Sequence, residues 1–158
     1  MPKPTSAADA VTSGGHTPVR VTIVTMDTHL ASATERARHS LAREMPGLHL
    51  SLHAASEFAN NEAAIERCKA DIAQAHIIVA GMLFLEDHFL PILPALRERR
   101  DQCDAMICMA SATEVVQLTR LGNFDMGKPA SGPMALLKKL RGGGGKDKPA
   151  TGGAAQMK

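Results

Sequence analysis

The stretch HIIVAGML, residues 76–83, is the most continuous apolar strand candidate in the chain. A short apolar run with β-branched residues, too short for a helix, is typical of a strand that is buried on both faces of a sheet. Val19–Thr25 (VRVTIVT) and Ala105–Met109 (AMICM) have a similar character. We therefore expect these three segments in the middle of a sheet.

A fourth strand candidate, Leu48–Ala54 (LHLSLHA), alternates strictly between leucines and polar residues. Successive side chains of a strand point to opposite faces, so His49, Ser51 and His53 share one face. One-sided burial predicts an edge strand whose two histidines are solvated.

Helical spacing of apolar residues follows each of the four strands. The inner positions expected for these helices are Leu30, Ala33, Ala37, Leu41 and Met45, then Ile65, Cys68, Ile72 and Ala75, then Leu85, Phe89, Ile92, Leu93 and Leu96, and finally Val115, Val116 and Leu118. Pro91 and Pro94 predict a kink in the third helix, because proline removes a backbone hydrogen bond. That helix is expected to end in the solvated run RERRD, residues 97–101.

Several residues are candidates for the helix ends. Ser32 with Glu35, and Ser111 with Glu114, have the spacing of capping boxes, and Asp87 is a candidate N-cap. Gly122 is expected to close the fourth helix, and a last helix is expected between Pro133 and Gly142.

Strand and helix alternate four times, which predicts an α/β domain with a mainly parallel sheet of about four strands. An edge-like second strand favours the flavodoxin-like three-layer fold with strand order 2-1-3-4. We expect a disordered tail at residues 1–18, one domain at 19–141, and a Gly-rich linker at 142–158 that belongs to a truncated chain. Residues 1–17 and 143–158 are expected to be mobile.

Composition excludes several classes of function. Residues 19–141 contain 14 Lys and Arg against 14 Asp and Glu, and the chain has no Trp or Tyr, so it lacks the basic face and stacking platform of a nucleic-acid binder. No apolar run is long enough for a transmembrane helix and no signal peptide is evident, so we expect a cytoplasmic protein. The three cysteines are far apart, which predicts buried structural thiols.

A ligand site in an open parallel sheet is expected at the carboxyl ends of the strands. The candidate rim and interface residues there are Asp27, His29, Met82, Phe84, Glu86, Asp87, His88, Ser111 and Glu114. We assign none of them a catalytic or metal-binding role.

Three small motifs at this rim have chemical alternatives. Residues 86–88 could bind a metal or move a proton, although acids also concentrate at helix N-termini. Residues 27–29 partly match a cobalamin-binding motif, but Ser32 stands where that motif has glycine. The hydroxyls of Thr25, Thr28, Ser32 and Thr34 are similar to a flavin phosphate loop, but the chain has no Trp or Tyr to stack on the ring. Helix capping with solvated side chains is the simpler interpretation.

Longer blocks of sequence give a more specific signal. VRVTIVTMDTHLASA, HIIVAGMLFLEDH, SATEVVQLTRLGNFDM and GPMALLKKLRG occur in this order between residues 19 and 142. Together they resemble the N-terminal domain of the large, porphyrin-binding subunit of magnesium chelatase, which is related to the cobaltochelatase large subunit.

The resemblance implies a function for the whole enzyme. The family's large subunit binds protoporphyrin IX and, with two partner subunits that hydrolyse ATP, inserts Mg²⁺ in chlorophyll or bacteriochlorophyll synthesis. The metal-insertion cavity is expected in the part of the subunit that this chain lacks, so we expect the chain to bind no cofactor and to be inactive alone. Its expected partners are the remainder of the large subunit and the two ATPase-side subunits.

Two roles remain open for this domain. The first is a scaffold that docks the rest of the subunit through apolar rim residues such as Met82, Phe84 and Phe89. The alternative is an isolated flavodoxin-like module that senses a ligand or regulates.

Overall fold

The computed structural model describes residues 17–128. Three predicted segments lie outside the described residues. They are the N-terminal tail except for its last two residues, the helix predicted between Pro133 and Gly142, and the predicted linker.

Six strands form one sheet in the order β2-β1-β3-β4-β5-β6. The strands are β1 (Val19–Thr25), β2 (Leu48–Ala54), β3 (Ile77–Gly81), β4 (Ala105–Met109), β5 (Arg120–Leu121) and β6 (Phe124–Asp125). The first four are parallel, which confirms the predicted mainly parallel sheet and the order 2-1-3-4. β5 and β6 pair antiparallel and add two strands beyond the four that the sequence pattern predicts.

Within residues 17–128, five helices and one 3₁₀ segment connect the strands. They are α1 (Leu30–Leu41), the 3₁₀ segment Ala55–Asn60, α2 (Glu62–Gln74), α3 (Glu86–Phe89), α4 (Leu93–Arg99) and α5 (Thr113–Val116). The predicted third helix is interrupted between Leu90 and Ile92, as the prolines require. The structure therefore confirms the predicted kink as a break between two short helices.

The hydrophobic core lies on one face of the sheet. The buried residues of the central strands on this face are Val24, Ile78, Ala80 and Met106. The helices contribute Ile72 of α2 and Leu93 and Leu96 of α4, which are also buried. Val21, Ile23, Val79 and Ile107, at alternate positions of the same strands, are only partly buried, and α1 has no buried residue. The prediction that the apolar residues of α1 form a buried inner stripe is therefore wrong. Met45 lies beyond the end of the helix with 45% of its surface exposed.

A short hairpin extends the sheet beyond β4. Gly122 (φ +56°) lies in the tight turn between β5 and β6, where a left-handed conformation favours glycine. The prediction that Gly122 closes the fourth helix is wrong, because α5 already ends at Val116. The buried Thr119 hydroxyl joins the hairpin to β4: it accepts from the Cys108 N–H at 3.0 Å and donates to the Cys108 carbonyl at 2.9 Å.

Arg100 connects the same hairpin to the end of α4. Its guanidinium pairs with Asp125 on β6 and donates to the carbonyl of Leu118 at 3.1 Å. Only 15% of the Arg100 side chain and 8% of the Asp125 side chain are exposed. The prediction that RERRD is a solvated run is therefore wrong at Arg100. The sequence gives no sign of this pairing, because Asp125 lies 25 residues away from Arg100 in the chain.

The predicted helix caps are also corrected. Ser32 and Glu35 lie inside α1, which begins at Leu30 without a side-chain cap, so they form no capping box. Asp87 is not an N-cap, because α3 begins at Glu86 after Leu85. Among the described helices of three or more turns, α2 has a side-chain cap: Asn61 Oδ1 accepts from the Ala64 N–H at 3.0 Å.

Candidate docking surface at the carboxyl edge of the sheet

The carboxyl ends of the three central strands lie at one level. Thr25 pairs with Gly81, and Gly81 pairs with Met109, so the loops after β1, β3 and β4 leave the same edge of the sheet. The next residues along two of these strands, Met82 (φ +61°) and Ala110 (φ +44°), both adopt left-handed backbone conformations. Residues other than glycine rarely adopt this conformation, and such backbone strain concentrates at functional sites.

Hydrogen bonds join the loop after β3 to the loop after β4. The Leu83 N–H donates to Ser111 Oγ at 3.0 Å, and the Ala112 N–H donates to the Leu83 carbonyl at 2.8 Å. Ser111 also donates its hydroxyl proton to the Met109 carbonyl at 2.9 Å. The prediction that Ser111 opens a capping box is wrong, because its side chain fixes the two loops to each other and Ala112 is the N-cap of α5.

Four apolar side chains on the loop after β3 and at the end of β4 are exposed. Met82 is 40% exposed, Phe84 and Leu85 are each 56% exposed, and Met109 is 51% exposed. We call Met82, Phe84, Leu85 and Met109 the rim patch. Single exposed apolar residues are ordinary on a protein surface, whereas a group of them on neighbouring segments makes a candidate interaction site.

Acidic residues surround the rim patch. Glu86 and Asp87 follow Leu85 directly in α3, and Glu114 follows Ala112 in α5; all three are exposed. Asp27 lies on the neighbouring loop after β1, where its Oδ1 accepts from the His29 N–H at 2.8 Å. The side chain of His29 is 90% exposed, in agreement with the predicted solvated histidine at the start of α1.

Two aromatic residues of the rim sequence are buried. Phe89 is 4% exposed and belongs to the hydrophobic core, which confirms its predicted inner position in the helix but contradicts its predicted docking role. His88, a predicted solvated residue, is 8% exposed, and its Nδ1 has no hydrogen-bond partner. The predicted docking role of Phe89 and the predicted solvation of His88 are wrong because α3 packs against the 3₁₀ segment Ala55–Asn60.

The sequence analysis missed a polar contact between β2 and α2. His53 Nε2 lies 2.8 Å from Asp71 Oδ2, and the His53 side chain is only 13% exposed. Ser51 donates to Thr22 Oγ1 at 3.2 Å on the same face. The prediction that His53 is solvated is therefore wrong, whereas His49 is exposed as expected. The alternation of β2 shows which residues share a face but gives no sign that Asp71 lies opposite them.

The three cysteines are free and buried, as predicted. Burial raises the pKa of the Cys68 thiol and of the Cys108 thiol to about 12, and it also raises the pKa of Cys103. These thiols are protonated at neutral pH and are structural. Within residues 17–128 no three His, Cys, Asp or Glu side chains are arranged to hold a metal ion, and none of the helices there is long and apolar enough to cross a membrane.

Comparison with known proteins agrees with the sequence blocks quoted above. The chain is 45% identical over 137 residues to the magnesium-chelatase H subunit of Rhodobacter capsulatus, covering 87% of this chain and 11% of that protein. It is 45% identical over 122 residues to the H subunit of Cereibacter sphaeroides, covering 77% of this chain and 10% of that protein. Against the chloroplastic ChlH subunit of Oryza sativa subsp. indica it is 28% identical over 133 residues, covering 80% of this chain and 10% of the rice protein.

The predicted resemblance to the N-terminal region of the magnesium-chelatase H subunit is thereby confirmed, and the chain spans about a tenth of the length of these relatives. The relation to cobaltochelatase stays a prediction. The family described as "Domain of unknown function (DUF3479)" matches residues 20–158, and the chain belongs to that family.

Proposed function

We propose that this chain is a docking domain of the large subunit of a magnesium chelatase. The whole enzyme would insert Mg²⁺ into protoporphyrin IX, with ATP hydrolysis by two partner subunits, in the cytoplasm. The relatives are named as the H subunit of this enzyme, and this chain matches about a tenth of each. The observation that carries the docking role is the exposed rim patch.

The rim patch has the chemistry of a contact surface. Fully burying a large apolar side chain stabilises a complex by about 1.5–3 kcal/mol, and the four members of the patch are 40–56% exposed. Their loops are fixed by the Ser111 and Leu83 hydrogen bonds, so little loop ordering opposes docking.

The proposed occupant of the rim patch is the remainder of the large subunit. Porphyrin and Mg²⁺ are substrates of the whole enzyme in this proposal and bind in that remainder. This chain then contributes position and stability, while the groups that contact the substrates belong to the rest of the subunit.

Formation of Mg-protoporphyrin, followed by its fluorescence, tests this function. The chain mixed with the two ATPase-side subunits, ATP, Mg²⁺ and protoporphyrin IX should form no product. A large subunit that lacks the matching region should lose activity and should regain it when the chain is added in trans. Product from the chain without the remainder would contradict the proposal, and a failure to restore activity would contradict the docking role.

A parallel titration separates docking from ligand sensing. Protoporphyrin IX added to the purified chain should leave its absorbance and fluorescence spectra unchanged. Saturable binding of porphyrin to the chain alone would favour the ligand-sensing alternative and would contradict the proposed role.

A further inference from the structure

Charge is distributed unevenly over the described residues. The four segments at the carboxyl edge of the sheet, residues 26–29, 55–61, 82–88 and 110–114, contain five acidic residues and no Lys or Arg. All eleven Lys and Arg of residues 17–128 lie outside these segments, against fourteen Asp and Glu in the same range. The segments that carry the rim patch and its neighbouring loops are therefore acidic.

Helix dipoles explain only part of this pattern. Carboxylates are favourable in the first turn of a helix, which accounts for Glu86, Asp87 and Glu114. Glu57 also lies in a first turn, that of the 3₁₀ segment, but the dipole effect does not account for the exposed apolar side chains between the acids. An apolar centre with a charged border is the arrangement of a protein interface.

We propose that the rim patch binds an apolar surface bordered by lysine or arginine. This inference rests on the proposed docking function and specifies the chemistry of the partner. Opposite charges around an apolar contact steer association and exclude acidic competitors, because like charges at an interface cost free energy. The partner surface therefore carries positive residues opposite Glu86, Asp87 and Glu114.

Two peptides of opposite charge test the inference. Each is a helix of about five turns with leucines on one face, and the other face carries lysines in one peptide and glutamates in its twin. Binding to the full chain is measured by calorimetry and by NMR. We expect the lysine peptide to bind at least about tenfold more tightly, to perturb residues 82–85 and 109–114, and to weaken as NaCl rises from about 50 to about 500 mM.

Charge reversal provides the matched control. The double variant Glu86→Lys, Asp87→Lys should lose the preference for the lysine peptide, whereas Glu98→Lys, Asp104→Lys, an equal reversal at two exposed positions before β4, should keep it. Equal binding of the two peptides, or a preference unchanged in the double variant, would overturn the inference. If the peptides bind equally while docking to the remainder of the large subunit still requires Phe84, the charge inference fails and the docking function stands.

Discussion

The Ser111 hydroxyl and the backbone N–H of Leu83 are joined by a 3.0 Å hydrogen bond, and this contact fixes the loop after β4 to the loop after β3. Leu83 is fully buried. Ser111→Ala leaves that N–H without its partner, so we expect the free energy of unfolding to fall by about 1–3 kcal/mol. Urea denaturation measures the change. Ser40→Ala, on the exposed surface of α1, is the control and should change it by less than about 0.5 kcal/mol. Equal effects of the two variants would contradict the assignment.

The ion pair between Arg100 and Asp125 should stabilise the β5–β6 hairpin. Asp125→Ala removes the buried carboxylate partner of a largely buried guanidinium, so we expect a loss of about 3–5 kcal/mol. Asp101→Ala is the matched control, because Asp101 contacts the same guanidinium with its side chain 79% exposed. It should cost at most about 1 kcal/mol. Thermal denaturation of both variants measures the two losses of stability. A larger loss in Asp101→Ala than in Asp125→Ala would contradict the stabilising role of the Arg100–Asp125 pair.

Backbone strain at Ala110 predicts a stabilising substitution. Ala110→Gly relieves a left-handed conformation that costs alanine about 1 kcal/mol or more, so we expect unchanged or higher stability. Ala70→Gly, in the exposed middle of α2, should instead destabilise by about 1 kcal/mol. If both glycine variants destabilise by the same amount in urea denaturation, Ala110 is not strained.

The buried thiols predict a loss of stability at alkaline pH. The pKa of Cys68 and that of Cys108 are about 12 in the folded protein, against an ordinary value of 9.0. Because the pKa is raised in the folded state, the thiols of the unfolded chain ionise first as pH rises. The contribution of the two thiols to the free energy of unfolding is therefore fully present below pH 9.0 and is lost as pH rises above it. We expect the two thiols together to remove about 2 kcal/mol between pH 9 and pH 10.

The double variant Cys68→Ala, Cys108→Ala should show a flatter dependence over the same range. Its absolute stability is lower because it loses buried volume, so the slope with pH is the quantity compared. An identical slope for the parent chain and the double variant would contradict the role of the thiols.

The main elements of the fold were predictable because they depend on local patterns. β-branched apolar runs identify the central strands, helical spacing places Cys68 and Ile72 in the core, and the prolines locate the break between α3 and α4. The strands β5 and β6 have two residues each, and a two-residue strand has no periodicity to detect.

The candidate site was only partly predictable because its geometry depends on distant contacts. The exposure of Met82 and Phe84 followed from their position after a central strand. The burial of His88 depends on packing against a segment about thirty residues away in the chain, and the role of Ser111 depends on register between two strands. No sequence pattern encodes either relationship.

Binding of the chain to the remainder of the large chelatase subunit tests the docking account most directly. The two exposed phenylalanines supply a matched pair, since Phe84 lies in the rim patch at 56% exposure and Phe124 lies in the β5–β6 hairpin at 58%. Calorimetry measures binding of the chain to the Rhodobacter capsulatus H subunit from which the matching region has been deleted. We predict that Phe84→Asp weakens this binding by about tenfold or more, while Phe124→Asp binds as the parent chain does. Parent-like binding by Phe84→Asp, or an equal loss in Phe124→Asp, would contradict the account.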